Sequence, residues 1–170
     1  TIIRLKKSGA FRTQVLVTGM HTQRRFGFTI AHVKKAVHVD HIVSVGEKDD
    51  PLTALAKEVD GIGKYLRTHP VDAVLVVADR DEAFAGAVAA MHLNIPVIHV
   101  SGGDTTGPTV DEFLRKSITI FSSVHLTQTA HSKSNVLALG APKRWAKVVG
   151  SAGLDGLHPR GLPKRKDLAV

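Results

Sequence analysis

Short apolar runs recur along the chain with almost no polar residue inside them. QVLVTG at 14–19, HIVSVG at 41–46, DAVLVVAD at 72–79 and IPVIHVSGG at 95–103 are rich in valine and isoleucine, and each ends in glycine or aspartate. SVHLTQ at 123–128 and AKVVGS at 146–151 make a fifth and a sixth. Runs of this kind, polar only at their C-terminal ends, predict strands buried on both faces of a parallel sheet. Between them the period changes. Residues 51–68, PLTALAKEVDGIGKYLRT, open on a proline and place Leu52, Leu55, Ala56, Val59, Ile62 and Leu66 on one face of a helix. Residues 81–93 are alanine-rich and start with two acids, which favour a helix N-terminus. Helices over 110–121 and 130–139 complete the alternation. Strand and helix repeated in this order predict an α/β domain, a doubly wound and mainly parallel sheet with helices on both faces, over residues 1–157. The proline-containing, basic residues 158–170 read as a linker or tail.

Composition narrows this picture. A chain of 170 residues with 43% hydrophobic content is long enough for one domain with a real core. It has no cysteine, which excludes a disulfide framework, a thiolate metal site and a cysteine nucleophile. No apolar stretch approaches the roughly 20 residues of a membrane helix, and the N-terminus does not read as a signal peptide, so the expectation is a cytoplasmic protein that does not engage a membrane. The net charge of +8 asks for an anionic partner. Much of the excess lies at the ends, in Arg4, Lys6, Lys7 and Arg12 and in Arg160, Lys164, Arg165 and Lys166. With a single Trp and a single Tyr there is little to stack on bases. These charges read as solvated tails, and nucleic acid is not the expected partner.

In a doubly wound sheet, ligands bind outside the carboxyl ends of the strands. Three of the loops there carry chemistry. Asp79 and Arg80 follow a strand and precede a helix: either a carboxylate held rigidly beside a phosphate-binding guanidinium, or a helix cap with a surface arginine. Ser101, Gly102, Gly103, Asp104, Thr105, Thr106 and Gly107 form a loop whose glycines let backbone approach a ligand, and Asp111, Glu112 and Arg115 follow on a helix. Asp111 and Glu112 are adjacent, so only one faces the crevice, and Arg115 is spaced for an i,i+4 pair with Asp111. A capping aspartate and a surface pair would give the same residues. Thr18, Gly19, Met20 and His21 make the third loop, with His21 a possible acid, base or donor and equally a structural histidine. His99, inside a strand, reads as a core histidine. His125 and His131 have no ligand spacing, so no metal is expected.

Taken in order, VTGMH…FGFT, VLVVADRDEA, NIPVIHVSGGDTTG…VDEFLRKSIT and VVGSAGLD resemble the N-terminal half of the hydrolysing UDP-N-acetylglucosamine 2-epimerases of the sialic-acid type, from about residue 14 to 157. The resemblance implies one Rossmann-like half of a glycosyltransferase-B-like fold, with the active site in the cleft between two such domains. It also implies that a strand precedes TIIRLKKSGAF, whose residues look like the end of a first helix, and that a second domain follows. On its own this fragment is expected to be inactive.

The reaction so implied breaks the anomeric C–O bond to expel UDP and removes the C2 proton, giving a 2-acetamidoglucal. Water or UDP then adds back from the other face to give the manno epimer, N-acetylmannosamine in the hydrolysing case. No cofactor is implied, the partner is a UDP-sugar, and the protein is expected to form a homo-oligomer, a dimer or tetramer. By the same resemblance Asp79, in Ala78-Asp79-Arg80, and Asp111 fall on catalytic carboxylates. His21, Arg80, Ser101, Gly102, Gly103, Glu112 and Arg115 fall on substrate-binding positions. The chain departs where many members read His-Ile-Glu-Gly-Gly with a glutamate in acid–base catalysis. Here Ser101 stands in that place and Asp104 is the nearest carboxylate, which makes Asp104 the third catalytic candidate. Lys116 replaces a usual histidine and Ala152 a usual proline. The departure keeps a second expectation open: a non-catalytic sugar-nucleotide-binding relative, or an epimerase acting on a different UDP-sugar.

Overall fold

Strand and helix alternate through residues 2–154, the part of the chain that the computed structural model describes. In order these are α1 (Ile2–Ser8), β1 (Leu16–Val17), α2 (Ile30–Ala36), β2 (His41–Ile42), α3 (Pro51–Thr68), β3 (Val74–Val77), α4 (Asp81–His92), β4 (Val97–Val100), α5 (Val110–Phe121), β5 (Val124–Thr127), α6 (Ala130–Ala138) and β6 (Ala146–Val148). Every predicted strand and every predicted helix is present at its predicted place. The short α2, IAHVKKA, has too few turns to set up a readable period. The basic segment 158–170 lies outside the described residues.

All pairing is parallel, but the strands form two sheets rather than the single sheet expected. β1 pairs with β2, and β3, β4, β5 and β6 pair in sequence order. A parallel strand spends alternate residues on each neighbour. On β3 the Val74 and Ala78 amides donate to Pro96 O and Val100 O of the β4 segment. Leu75 and Val77 lie between those positions, and the edge away from β4 pairs with no described strand. Burial on both faces also fails here, because Val76 is 7% exposed whereas Leu75 and Val77 are 37% and 49% exposed.

Helices do lie on both faces of the β1–β2 pair. Leu16 packs into the cluster of Val43, just after β2, with Ile62, Tyr65 and Leu66 of α3 and Ala85 and Ala89 of α4. Val15 and Val17 instead pack on Ile30 of α2. Adjacent strand residues point to opposite faces, so α2 and α3 cover opposite sides. A third cluster, Val76, Ala87, Ala90, Val97 and Ile118, joins β3 and β4 to α4 and α5. Local chemistry fixes the helix starts. Asp50 accepts from the Leu52 and Thr53 amides ahead of Pro51, Thr109 from Glu112 N, and Thr129 from Ser132 N.

Glu58 breaks the pattern. It sits on the apolar stripe of α3 between Leu55 and Ile62, and is 2% exposed. Its Oε1 lies 3.4 Å from Thr18 Oγ1, while Oε2 has no partner among the described residues. Burial first, and then the charge of Glu82, push this carboxyl from the ordinary 4.5 up to about 7. Between those values the folded protein holds a proton that the unfolded chain has released, so this group lowers stability as pH rises through that window. We expect Glu58→Gln to stabilise the protein by on the order of 2 kcal/mol in urea melts at pH 8 and to have no effect at pH 4. A destabilised variant at pH 8 would show that the ionised carboxylate is accommodated.

Candidate functional site

The ends of β3 and β4 and the start of α5 meet around one guanidinium. After Val77 the chain turns through Ala78, whose φ of 64° is left-handed although it is not glycine. The next residue, Asp79, does not cap α4. Arg80 occupies the N-cap position, without a side-chain cap bond, and the Asp79 carboxylate is free to reach elsewhere. It reaches Arg115: Arg115 Nη2 donates to Asp79 Oδ2. Arg115 Nη1 donates to Asp104 O at 2.7 Å and to Glu112 Oε2 at 3.0 Å. The Arg115 side chain is only 6% exposed, against 18% for Asp79 and 8% for Glu112. Lys116 Nζ adds a second cation 3.1 Å from Glu112 Oε1. A buried cation shared between two carboxylates and a carbonyl fixes both carboxylates in direction.

The glycine loop closes over the same spot. Ser101 also has a left-handed φ, 65°, and its amide donates to Leu126 O at 2.9 Å. A Cβ on Gly102 would lie 2.6 Å from His99 Nδ1, and one on Gly103 would collide with Ser132 O. Glycine is therefore required at both positions by close approach. Asn135 Nδ2 donates to Gly103 O at 2.8 Å, and Ser132 Oγ to Asp104 Oδ1 at 2.5 Å. Thus α6 holds the loop from one side and Arg115 from the other. Asp104, Thr105, Glu112, Arg115, Lys116 and Asn135 line a cavity of about 250 Å³.

Beneath the loop, His99 is fully buried, and that burial pushes its imidazole down to about 4. Its Nε2 lies 2.8 Å from Ala78 O and its Nδ1 3.2 Å from Thr119 Oγ1, so it is the satisfied core histidine that its strand position implied.

Of the candidates, Asp79, Asp104, Ser101, Gly102, Gly103, Glu112 and Arg115 come together. Asp111 does not join them. Arg115 pairs with Glu112 at i,i+3 rather than with Asp111 at i,i+4, because Glu112, Arg115, Ile118 and Thr119 form the buried face of α5 and Asp111 is exposed. Asp111 instead faces Asp81 and contributes to raising the Asp81 carboxyl, after burial and Glu82. His21 and Arg80 form a second, exposed group. His21 Nδ1 lies 2.8 Å from Thr29 Oγ1, and Arg80 Nη2 lies 2.9 Å from Met20 Sδ. The Met20 amide donates to Glu82 Oε1 at 3.0 Å, which ties this loop to α4. Sequence reasoning missed Ser132 and Asn135. Both sit in a helix with no marked apolar face, where nothing local signals that they reach back some thirty residues to the glycine loop.

The left-handed Ala78 allows a direct test. Glycine adopts this φ without the Cβ clash that alanine carries, and Ala78→Gly is expected to raise stability by about 0.5–1 kcal/mol in a denaturant melt. A loss of stability would show that the methyl group packs.

Comparison with known proteins bears on this geometry. The model of the UDP-N-acetylglucosamine 2-epimerase family matches residues 3–169. The chain is 32% identical over 171 residues to polysialic acid biosynthesis protein P7 of Escherichia coli, covering 98% of this chain and 44% of that protein. It is 34% identical over 157 residues to the UDP-N,N'-diacetylbacillosamine 2-epimerase (hydrolyzing) of Legionella pneumophila, covering 89% of this chain and 41% of that one. Among solved structures, the UDP-GlcNAc 2-epimerase of Neisseria meningitidis bound to UDP-GlcNAc superposes with a TM-score of 0.78 at 23% identity, covering 86% of this chain and 40% of its own. The chain therefore spans about two fifths of the length of these relatives.

Proposed function

We propose, since this chain belongs to the UDP-N-acetylglucosamine 2-epimerase family, that the protein carrying it expels UDP from UDP-N-acetylglucosamine and inverts C2 to give N-acetylmannosamine. Residues 1–157 supply the Rossmann-like N-terminal half, and this half alone is inactive. The observation that carries the reading is the buried Arg115 holding Asp79 beside the Asp104 loop. The reaction needs a carboxylate to take the C2 proton as the C1–O bond breaks and the electron pair leaves with UDP. Asp79 is such a carboxylate, and Arg115 fixes its direction. Asp104, hydrogen-bonded to Ser132, takes the part of the second carboxylate: as water adds its oxygen to C1, Asp104 accepts the proton that the water gives up and hands it to C2 on the opposite face. To Arg80, 58% exposed at the N-terminus of α4, we assign the contact with the diphosphate. The partner is a UDP-sugar, and the protein works in the cytoplasm as a homo-oligomer. UDP release by the full-length protein, followed in a coupled assay with the sugar product identified by NMR, tests this. No release from UDP-N-acetylglucosamine overturns it.

A second reading concerns the sugar. Ser101 stands where a glutamate is usual, and one relative carrying 34% identity is named for UDP-N,N'-diacetylbacillosamine. A substrate with a second acetamido group would make the same elimination on a different ring. Parallel assays with both UDP-sugars separate the two.

A further inference from the structure

We propose that His99 is a positioning residue that fixes Asp79 relative to Arg115; this rests on the reading of Asp79 as the base. The imidazole spends both ring nitrogens on residues next to the two partners. Nε2 meets Ala78 O at 2.8 Å, one residue before Asp79. Nδ1 meets Thr119 Oγ1 at 3.2 Å, and that hydroxyl also lies 2.9 Å from Arg115 O, one turn back on α5. A carbonyl oxygen only accepts, so Nε2 carries the hydrogen and the neutral ring presents Nδ1 as an acceptor to the Thr119 hydroxyl, whose single hydrogen is shared between Nδ1 and Arg115 O. The ring is thus a strut of fixed length between the end of β3 and the middle of α5.

Two further contacts show that the strut sets geometry rather than filling space. Ala78 is held in its left-handed conformation from both sides, its amide on Val100 O at 2.9 Å and its carbonyl on His99. A strained residue stays in place only where its surroundings overdetermine it, and here they aim the next side chain, Asp79, at Arg115. Gly102 lies directly on the ring, with no room for a Cβ. The same imidazole therefore supports the loop that carries Asp104. Packing alone would be met by an apolar side chain without the cost of burying two ring nitrogens. Burial keeps the ring neutral, so the strut persists at neutral pH.

The test uses the full-length protein. His99→Phe keeps a ring and removes both hydrogen bonds, whereas His99→Gln retains an N–H for Ala78 O. We expect His99→Phe to lose about tenfold to a hundredfold in kcat with KM within about twofold of the parent, and His99→Gln to recover most of that loss. A crystal structure of His99→Phe should show Ala78 out of the left-handed region and Asp79 released from Arg115. A folded His99→Phe with parental kcat overturns the proposal. If that variant does not fold, Thr119→Val removes one end of the strut, and parental kcat there overturns it equally. Should the parent release no UDP, the epimerase reading fails, while the His99→Phe structure still decides whether the strut places Asp79.

Discussion

Full-length protein carrying Asp79→Asn is expected to lose UDP release by about a thousandfold while keeping its fold. Asparagine has nearly the volume of aspartate, and its Oδ1 can still accept from Arg115 Nη2, so the contact at the head of β3 persists. What disappears is the negative charge and with it a base strong enough to take the C2 proton. Loss of a positioned general base costs roughly 10²–10⁴ in rate, and a thousandfold is the middle of that range. Two measurements together make the result specific. UDP release reports the overall reaction, and deuterium appearing at C2 of the product in D2O reports proton removal. Both should fall together. An Asp79→Asn protein that is folded by circular dichroism and still releases UDP would remove Asp79 from the chemistry. Loss of release with deuterium still entering C2 of the recovered UDP-sugar would make it a leaving-group residue instead.

The sequence carried most of this arrangement, unevenly. Strand and helix order was legible because each element has a period that survives in isolation: unbroken Val and Ile for β3 and β4, an apolar stripe for α3. The division into two sheets was not, since it depends on which edge of β3 meets a neighbour, and Leu75 and Val77 read alike whether covered or exposed. In the site, Asp79 was legible as a residue at a strand end, but its use was not, because capping α4 and pairing across the sheet demand the same side chain. The choice between Asp111 and Glu112 turned on about 100° of helix rotation, which the run VDEFLRKSITIF leaves undecided until α5 is docked. Glu112 and Arg115 prevailed because they share the buried face with Ile118. His99 could be placed in the core from its strand, yet its role depends on Ala78 and Thr119, some twenty residues away on either side.

Removing Arg115 is expected to cost more stability than any other single change at this site. Among the described residues its guanidinium is the one cation that touches both Asp79 and Glu112, and it also bonds Asp104 O. Arg115→Met fills the space but leaves two carboxylates facing each other in a largely dry setting, with Lys116 able to answer only Glu112. Breaking a buried pair from one side costs about 3–5 kcal/mol, because the surviving charges keep their desolvation penalty without their partner. Urea melts of parent and variant at pH 7 measure this directly. Arg115→Lys separates charge from shape: a single ammonium restores part of the stability but cannot span Asp79, Glu112 and Asp104 O together. Its UDP release should stay low even where its melt recovers. Equal stability of parent and Arg115→Met at pH 7 would mean that solvent, not Arg115, carries the charge of Asp79.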